Sequence, residues 1–221
     1  MGGFMAVSEA AERLGVSVRQ VQNLATRGEL RKVARGLVDA TSVERHLAVR
    51  IDSHTRAWSS STAWAAISLL EGDQPDWLGV SQRSRLAKRL REISVDELIE
   101  RSRGRAQVFR YAAHSSALRH LRHEVVHKRE AESRLGLASS DAVDGYVAES
   151  ALGGLVGRYG LARDDDGLVT LRATAMRLDV VRRLADRGPL LAAVDLAESL
   201  DVRERSAGRD ALERALGEYR A

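Results

Sequence analysis

The sequence predicts an α+β protein, mostly helical, in three parts: a small module at 1–50, a helical segment at 51–135 and a small α/β domain at 136–221. Three observations lead there. Apolar residues recur at helical spacing behind Ser or Thr caps over most of the chain, and alternating apolar–polar stretches are few and short. A length of 221 residues suits two or three small domains, and 44% hydrophobic with 30% charged residues is an ordinary globular composition. With nine aromatic residues, the core must rest on Ala, Val and Leu.

The same composition narrows the classes of function. No apolar run approaches the ~18 residues of a membrane span. The opening Met-Gly-Gly-Phe-Met-Ala-Val has neither basic region nor cleavage pattern, so no signal peptide is expected. The absence of cysteine removes disulfides, thiolate metal sites and cysteine nucleophiles, and makes the cytoplasm the expected location. Residues 1–135 carry twenty-three Lys and Arg against sixteen Asp and Glu, whereas residues 136–221 carry twelve against fifteen. That asymmetry suggests a polyanion partner for the front of the chain, although 32 of the 35 basic residues are Arg, a bias that coding composition alone can produce.

The first element is a helix capped by Ser8 and running to Leu14, with Glu9, Ala10, Ala11 and Leu14 along one narrow apolar side. Gly15 makes a tight turn and Val16 an apolar plug. Ser17 then caps a second helix, Val18 to Arg27, in which Val18, Val21, Leu24 and Ala25 face inward. The outward set is Arg19, Gln20, Gln22, Asn23, Thr26 and Arg27, rich in amides and arginine and without a carboxylate. Amides bond adenine and arginine bonds guanine in the major groove, where a carboxylate would meet phosphate repulsion. Gly28 ends the helix. "ELRKVARGLVDA" alternates as a hairpin with Leu30, Val33 and Val38 inward, Arg35-Gly36 at the tip and Arg31 and Lys32 nearby. Thr41 is expected to cap a third helix, Ser42 to about Arg50.

This order is that of a winged helix-turn-helix, and its turn, "TRGEL" exit and short wing resemble the excisionase and MerR-type DNA-binding domains over about 45 residues. The resemblance implies that the second helix reads bases and the wing grips phosphate or the minor groove. Ser17, Arg19, Gln20, Gln22, Asn23, Arg27, Arg31, Lys32 and Arg35 are the expected contacts to double-stranded DNA.

From 51 to 135 the pattern is helical, with Trp58, Trp64, Ile67, Leu69 and Leu70 as an apolar cluster and Gly72-Asp73-Gln74-Pro75 as a turn. "VSQRSRLAKRLREIS" is amphipathic, its Arg and Lys residues reading as a solvated face. "SVDELIERSRG" adds a helix capped by Ser94, and "AQVFRYAAH" alternates as a strand.

Residues 123–127 spell "HEVVH". On a helix, two His at i and i+4 ligate zinc and the intervening Glu is the general base. His123, Glu124 and His127 therefore form an alternative metal site, with His120 on the same face and Glu149 as a third ligand further on. Against it stand five neighbouring cations, Arg119, Arg122, Lys128, Arg129 and Arg134, and the pair Val125-Val126, which suits a helix-to-strand junction. The reading adopted has no metal and no cofactor.

In the last third, "DAVDGYVAES" reads as a strand, "SALGGLVGRYGL" as a helix ended by Gly160, and "ARDDDGLVTLRAT" as a solvated hairpin turn followed by a strand. Further helices follow, broken at Gly188-Pro189. Asp195 and Asp201 carry no recognisable chemistry. Together with "RAWSSSTAWAAISLLEGDQPDWL", the stretches "VDGYVAESALGGLVGRYGLARDDDGLVTLRAT" and "AVDLAESLDVRERSAGRDALERAL" resemble the abortive-infection E antitoxins of type IV toxin–antitoxin pairs. That resemblance implies a winged N-terminal domain, an α/β C-terminal domain, repression of its own operon and neutralisation of a nucleotidyltransferase-like toxin. The expectation is thus a non-enzymatic, DNA-binding transcriptional regulator with a toxin protein as partner and a homodimer as a further expectation. A DNA-binding zinc metalloprotease using HEVVH and an excisionase-like architectural protein are the alternatives.

Overall fold

The computed structural model describes residues 3–26, 28–49, 56–127, 142–199 and 201–221. The fold is α+β, with eleven α-helices and two small sheets among them.

In the N-terminal part, β1 (Phe4–Ala6) runs directly into α1 (Val7–Leu14), and α2 (Val18–Thr26) follows a tight turn. Gly15 takes φ 64°, the left-handed conformation that lets its N–H close the end of α1. The hairpin is β2 (Lys32–Ala34) and β3 (Leu37–Asp39), joined at Arg35-Gly36, and α3 (Ala40–Val49) completes the module. The three strands are antiparallel in the order β1-β3-β2. Met5, Ala10, Leu14, Val21, Leu24, Leu30, Val38 and Val43 make a separate core.

Several local expectations need correction. Ser8 does not cap α1: the helix begins two residues earlier than that cap implies, at Val7 straight from β1, with Ala6 at the cap position and no side-chain bond. The capping role expected of Thr41 falls to Asp39, whose carboxylate accepts the Ser42 N–H at 2.8 Å. Val33 is 41% exposed rather than inward, because the pairing register shifts between Lys32 and Ala34.

The remainder begins with α4 (Ser60–Leu70), α5 (Val80–Glu92) and α6 (Val95–Ser102), the first and last capped by Ser59 and Ser94. A 3-10 turn at Arg103–Arg105 leads into β4 (Gln107–Ala112), then α7 (Ser115–Glu124) and β5 (Val143–Ala148). Next come a 3-10 turn at Glu149–Ala151, α8 (Leu152–Tyr159), β6 (Ala162–Arg163) and β7 (Val169–Thr174). Three helices close the fold: α9 (Leu178–Arg187), α10 (Leu190–Leu196) and α11 (Val202–Arg220).

The second sheet has the order β5-β7-β4-β6, with β5 parallel to β7 and β4 antiparallel to both neighbours. Helices α4–α6 share one apolar core with α9–α11, including Trp64, Ile67, Leu90, Leu184, Leu191 and Leu212. Both the sheet and this core draw on residues before and after 135, so neither breaks at the boundary expected there. The Asp164–Asp166 run is also not a hairpin turn, since β6 and β7 lie on opposite sides of β4. The chain crosses the end of β4 at Gly167, where a Cβ would overlap the Tyr111 carbonyl.

Glu97 ties α5 to α6. Its carboxylate accepts from Arg101 Nε at 2.7 Å and from Arg89. Burial pushes its pKa up, but the bonds from Arg89 and Arg101 outweigh this and hold it below the ordinary carboxylate value. Glu97→Gln is expected to lower stability near neutral pH by up to about 1 kcal/mol. The deficit should shrink as pH falls through the carboxylate range, because the folded state then loses the charge that the low pKa reflects. Urea midpoints of both proteins at pH 7 and pH 3.5 check this; a deficit independent of pH contradicts it.

Candidate nucleic-acid interface

Val21 and Leu24 anchor α2 inward, so helical spacing turns Arg19, Asn23 and Thr26 directly outward, flanked by Gln22 and Gln20; all five are exposed. Ser17 is occupied as the cap, its Oγ accepting the Gln20 N–H at 3.2 Å, and the Thr26 hydroxyl donates to the Gln22 carbonyl at 2.9 Å. Arg27 lies outside the described residues. Arg31, Lys32 and Arg35 are exposed on the hairpin, and the Arg31 N–H bonds Ser42 Oγ at 3.1 Å, tying the hairpin base to α3. Arg13 is paired with Glu44. Among the described residues no carboxylate pairs with Arg19, Arg31, Lys32 or Arg35, so the α2–hairpin surface carries uncompensated positive charge.

Gln20 and Gly28, on one flank of α2, also line a cleft of about 820 Å³ between this module and the rest of the chain. Gly28 rests against Arg163 and Phe109, where a Cβ would overlap the guanidinium. Arg163 in turn stacks over the rings of Phe109 and Tyr111 at 4.9 and 5.4 Å. The end of α2 is thereby seated on β4 and β6.

The floor of the cleft is a buried ionic cluster. Arg105 Nε bonds the Tyr146 hydroxyl and Asp195 Oδ1, each at 3.1 Å, and its two terminal nitrogens grip Glu198 at 3.1 and 2.9 Å. Tyr146 donates to Asp195 Oδ1 at 2.7 Å. Arg172 holds Asp144 in a two-point bond at 2.9 and 3.0 Å and lies 3.4 Å from Asp195 Oδ2. Burial opposes charge on Arg105, but Glu198, Tyr146 and Asp195 outweigh it and raise its pKa. Arg172 is raised likewise, against burial, by Asp144 and Asp195. Burial and the Asp195 carboxylate both push the Tyr146 phenol up, which keeps it a hydrogen-bond donor. The cluster joins α10, the Arg103–Arg105 turn and strands β5 and β7.

The HEVVH segment does not form the helical metal geometry. Helix α7 stops at Glu124, Val125 is extended, and Val126 bridges Tyr146 through two bonds of 2.9 Å. His123 and His127 therefore do not share a helix face. His127 has Nε2 2.8 Å from the Arg122 carbonyl and Nδ1 3.1 Å from the Asp144 carbonyl. Glu124 accepts from Arg158 and the Tyr159 hydroxyl, both at 3.0 Å. His120 is exposed on α7, and Glu149 opens a separate turn on the cleft. Among the described residues no group of three or more His, Cys, Asp or Glu is arranged to hold a metal ion. The β-branched pair Val125-Val126 marks the junction that breaks the helix.

The ionic cluster escaped the sequence reading. Its signal was present: Asp195 is a single carboxylate within the apolar run "LLAAVDLA", and Arg172 sits mid-strand in "VTLRAT". A charge at such positions is buried and demands a partner. The partners lie up to 90 residues away in sequence, so nothing local names them.

The chain matches no family model, no curated protein and no solved structure. Among the described residues no helix is long and apolar enough to cross a membrane.

Proposed function

We propose that this chain is a sequence-specific DNA-binding transcriptional regulator whose residues 3–49 act as a winged helix-turn-helix. The observation that carries the reading is the carboxylate-free outer face of α2, with Arg19, Gln22 and Asn23 exposed beside the cations of the β2–β3 hairpin. A helix of this kind enters the major groove by its first turns, and the hairpin meets the backbone or minor groove. Gln20 belongs to the flank shared with the cleft, so Arg19 and Asn23 are the principal base readers in this reading. The resemblance to abortive-infection E antitoxins extends the proposal: the regulator represses its own operon and silences a nucleotidyltransferase-like toxin through residues beyond the N-terminal module. What co-purifies with the tagged full-length protein tests that extension.

The DNA reading is tested by salt titrations on a duplex selected from random sequence by the full-length protein, beside an unselected duplex. Arg19→Ala or Asn23→Ala is expected to cost about 1–3 kcal/mol on the selected duplex and little on the other. Lys32→Ala should weaken both alike and reduce the salt slope by about one. If none of these variants alters either affinity, residues 3–49 do not read DNA.

A further inference from the structure

Strand β4 is only half covered on one edge. Its β7 edge is paired from Gln107 to Tyr111, but β6 pairs only with Tyr111 and Ala112. The Asp164 N–H bonds the Arg110 carbonyl at 3.2 Å, which directs the peptide groups of Arg110 toward the β6 side. Strand periodicity directs those of Val108, and of the extended residue Ala106 before it, to the same side. There β6 has ended and the chain has turned away at Gly167. Neither Ala106 nor Val108 has a hydrogen-bond partner on that edge among the described residues. Both line the cleft of about 820 Å³.

The cleft also has a definite electrostatic character. Its lining carries five arginines and seven carboxylates, an excess of acid in a chain of net charge +4. Ion pairs on the floor commit Arg105 and Arg172 and, with them, Asp144, Asp195 and Glu198. The other lining charges are Arg56, Arg103 and Arg110 beside Glu29, Glu149, Asp165 and Glu204, so the small acid excess remains. The volume is that of an ordinary ligand pocket, about 300–1,000 Å³. An unpaired strand edge selects an extended backbone, and pockets beside it select side chains.

We propose that the open edge of β4 receives an extended peptide segment bearing basic side chains, which adds as a strand at Ala106–Val108 within the cleft. The added strand continues the line of β6 and places its cationic side chains among the lining carboxylates. Its position against Gln20 and Gly28 puts it next to the end of α2, beside the surface assigned to DNA but separate from it.

The test uses the full-length protein without DNA, so it is independent of the DNA reading. Three blocked hexapeptides, alternating Val with Arg, Glu or Gln, are titrated by fluorescence anisotropy. The Arg peptide is expected to bind at least about tenfold more tightly than the other two. Its backbone is then N-methylated either at every Val or at every Arg. Alternate N–H groups of a strand point to opposite sides, so one methylated set should lose binding by about tenfold or more and the other should retain it. Val108→Pro should match the loss, with an unchanged melting temperature showing that the β7 ladder is intact. Absence of binding by the Arg peptide, equal binding by all three charges, or equal effects of the two methylated sets each overturns the proposal. The methylation comparison stands even if Val108→Pro fails to fold.

Discussion

An Asp195→Ala variant is expected to lose about 3–5 kcal/mol of folding stability, the cost of stripping one partner from a buried ion pair. Asp195 lies wholly inside α10. Its carboxylate accepts the Tyr146 hydroxyl and the Arg105 guanidinium and lies near Arg172. Alanine leaves the Arg105 charge with Glu198 as its carboxylate partner and removes the acceptor of the buried Tyr146 hydroxyl. Asp195→Asn keeps the shape and one acceptor, so its loss should be smaller. Joint replacement, Arg105→Met with Asp195→Leu, should not recover the single-variant loss, because it strips Glu198 of its two-point partner and the Tyr146 hydroxyl of both its hydrogen-bond partners. Urea unfolding at fixed pH measures all three. A loss under about 1 kcal/mol for Asp195→Ala would mean that the cluster is solvated and contributes little.

Gly208→Ala should destabilise as well, against the local preference of its helix. Alanine is favoured over glycine inside a helix by about 1 kcal/mol. At Gly208, however, a Cβ would stand 2.5 Å from the Ala197 nitrogen and 2.6 Å from the Ala193 oxygen, both backbone atoms. Helices α10 and α11 would have to separate, and overpacking of this kind costs about 1–3 kcal/mol or more. Gly217 supplies the control. It occupies the same helix with nothing within 4 Å of a Cβ, so Gly217→Ala should stabilise by about 0.5–1 kcal/mol. Opposite signs at the two positions are the expected result; a gain at both would show that α10 and α11 do not pack closely at Gly208.

The N-terminal module was the most legible part of the sequence because its determinants are local. Caps, tight turns and 3.6-residue spacing placed α1, α2, the hairpin and α3 close to where they lie, and the expected outward set of α2 is exposed wherever it is described. The failures there were also local: a three-residue β1 is too short to show periodicity, Val18 at the start of α2 is 44% exposed rather than inward, and a one-residue register shift turned Val33 outward. Strand positions at 107–112, 143–148 and 169–174 were visible from alternation, but their pairing was not. Nothing in "ARDDDGLVT" says that the chain steps across β4 instead of folding back as a hairpin. The ionic floor and the cleft depend on contacts between distant segments, and these become readable only when the topology is known.

The interleaved sheet also dictates an order of events during synthesis. The N-terminal module draws its core from residues 5–43 and can fold as soon as it clears the ribosome. β4 cannot: its neighbours begin at 162 and 169, and the helical core waits for α11. At about 5–20 residues per second, residues 107–112 spend several seconds without either flanking strand. A release near residue 135 would leave that strand with both edges bare, so shortened chains should survive as the N-terminal module alone or aggregate. Dissection of the two proposed activities therefore belongs to point substitutions in the full chain, and the body cannot exist until translation has passed through α11.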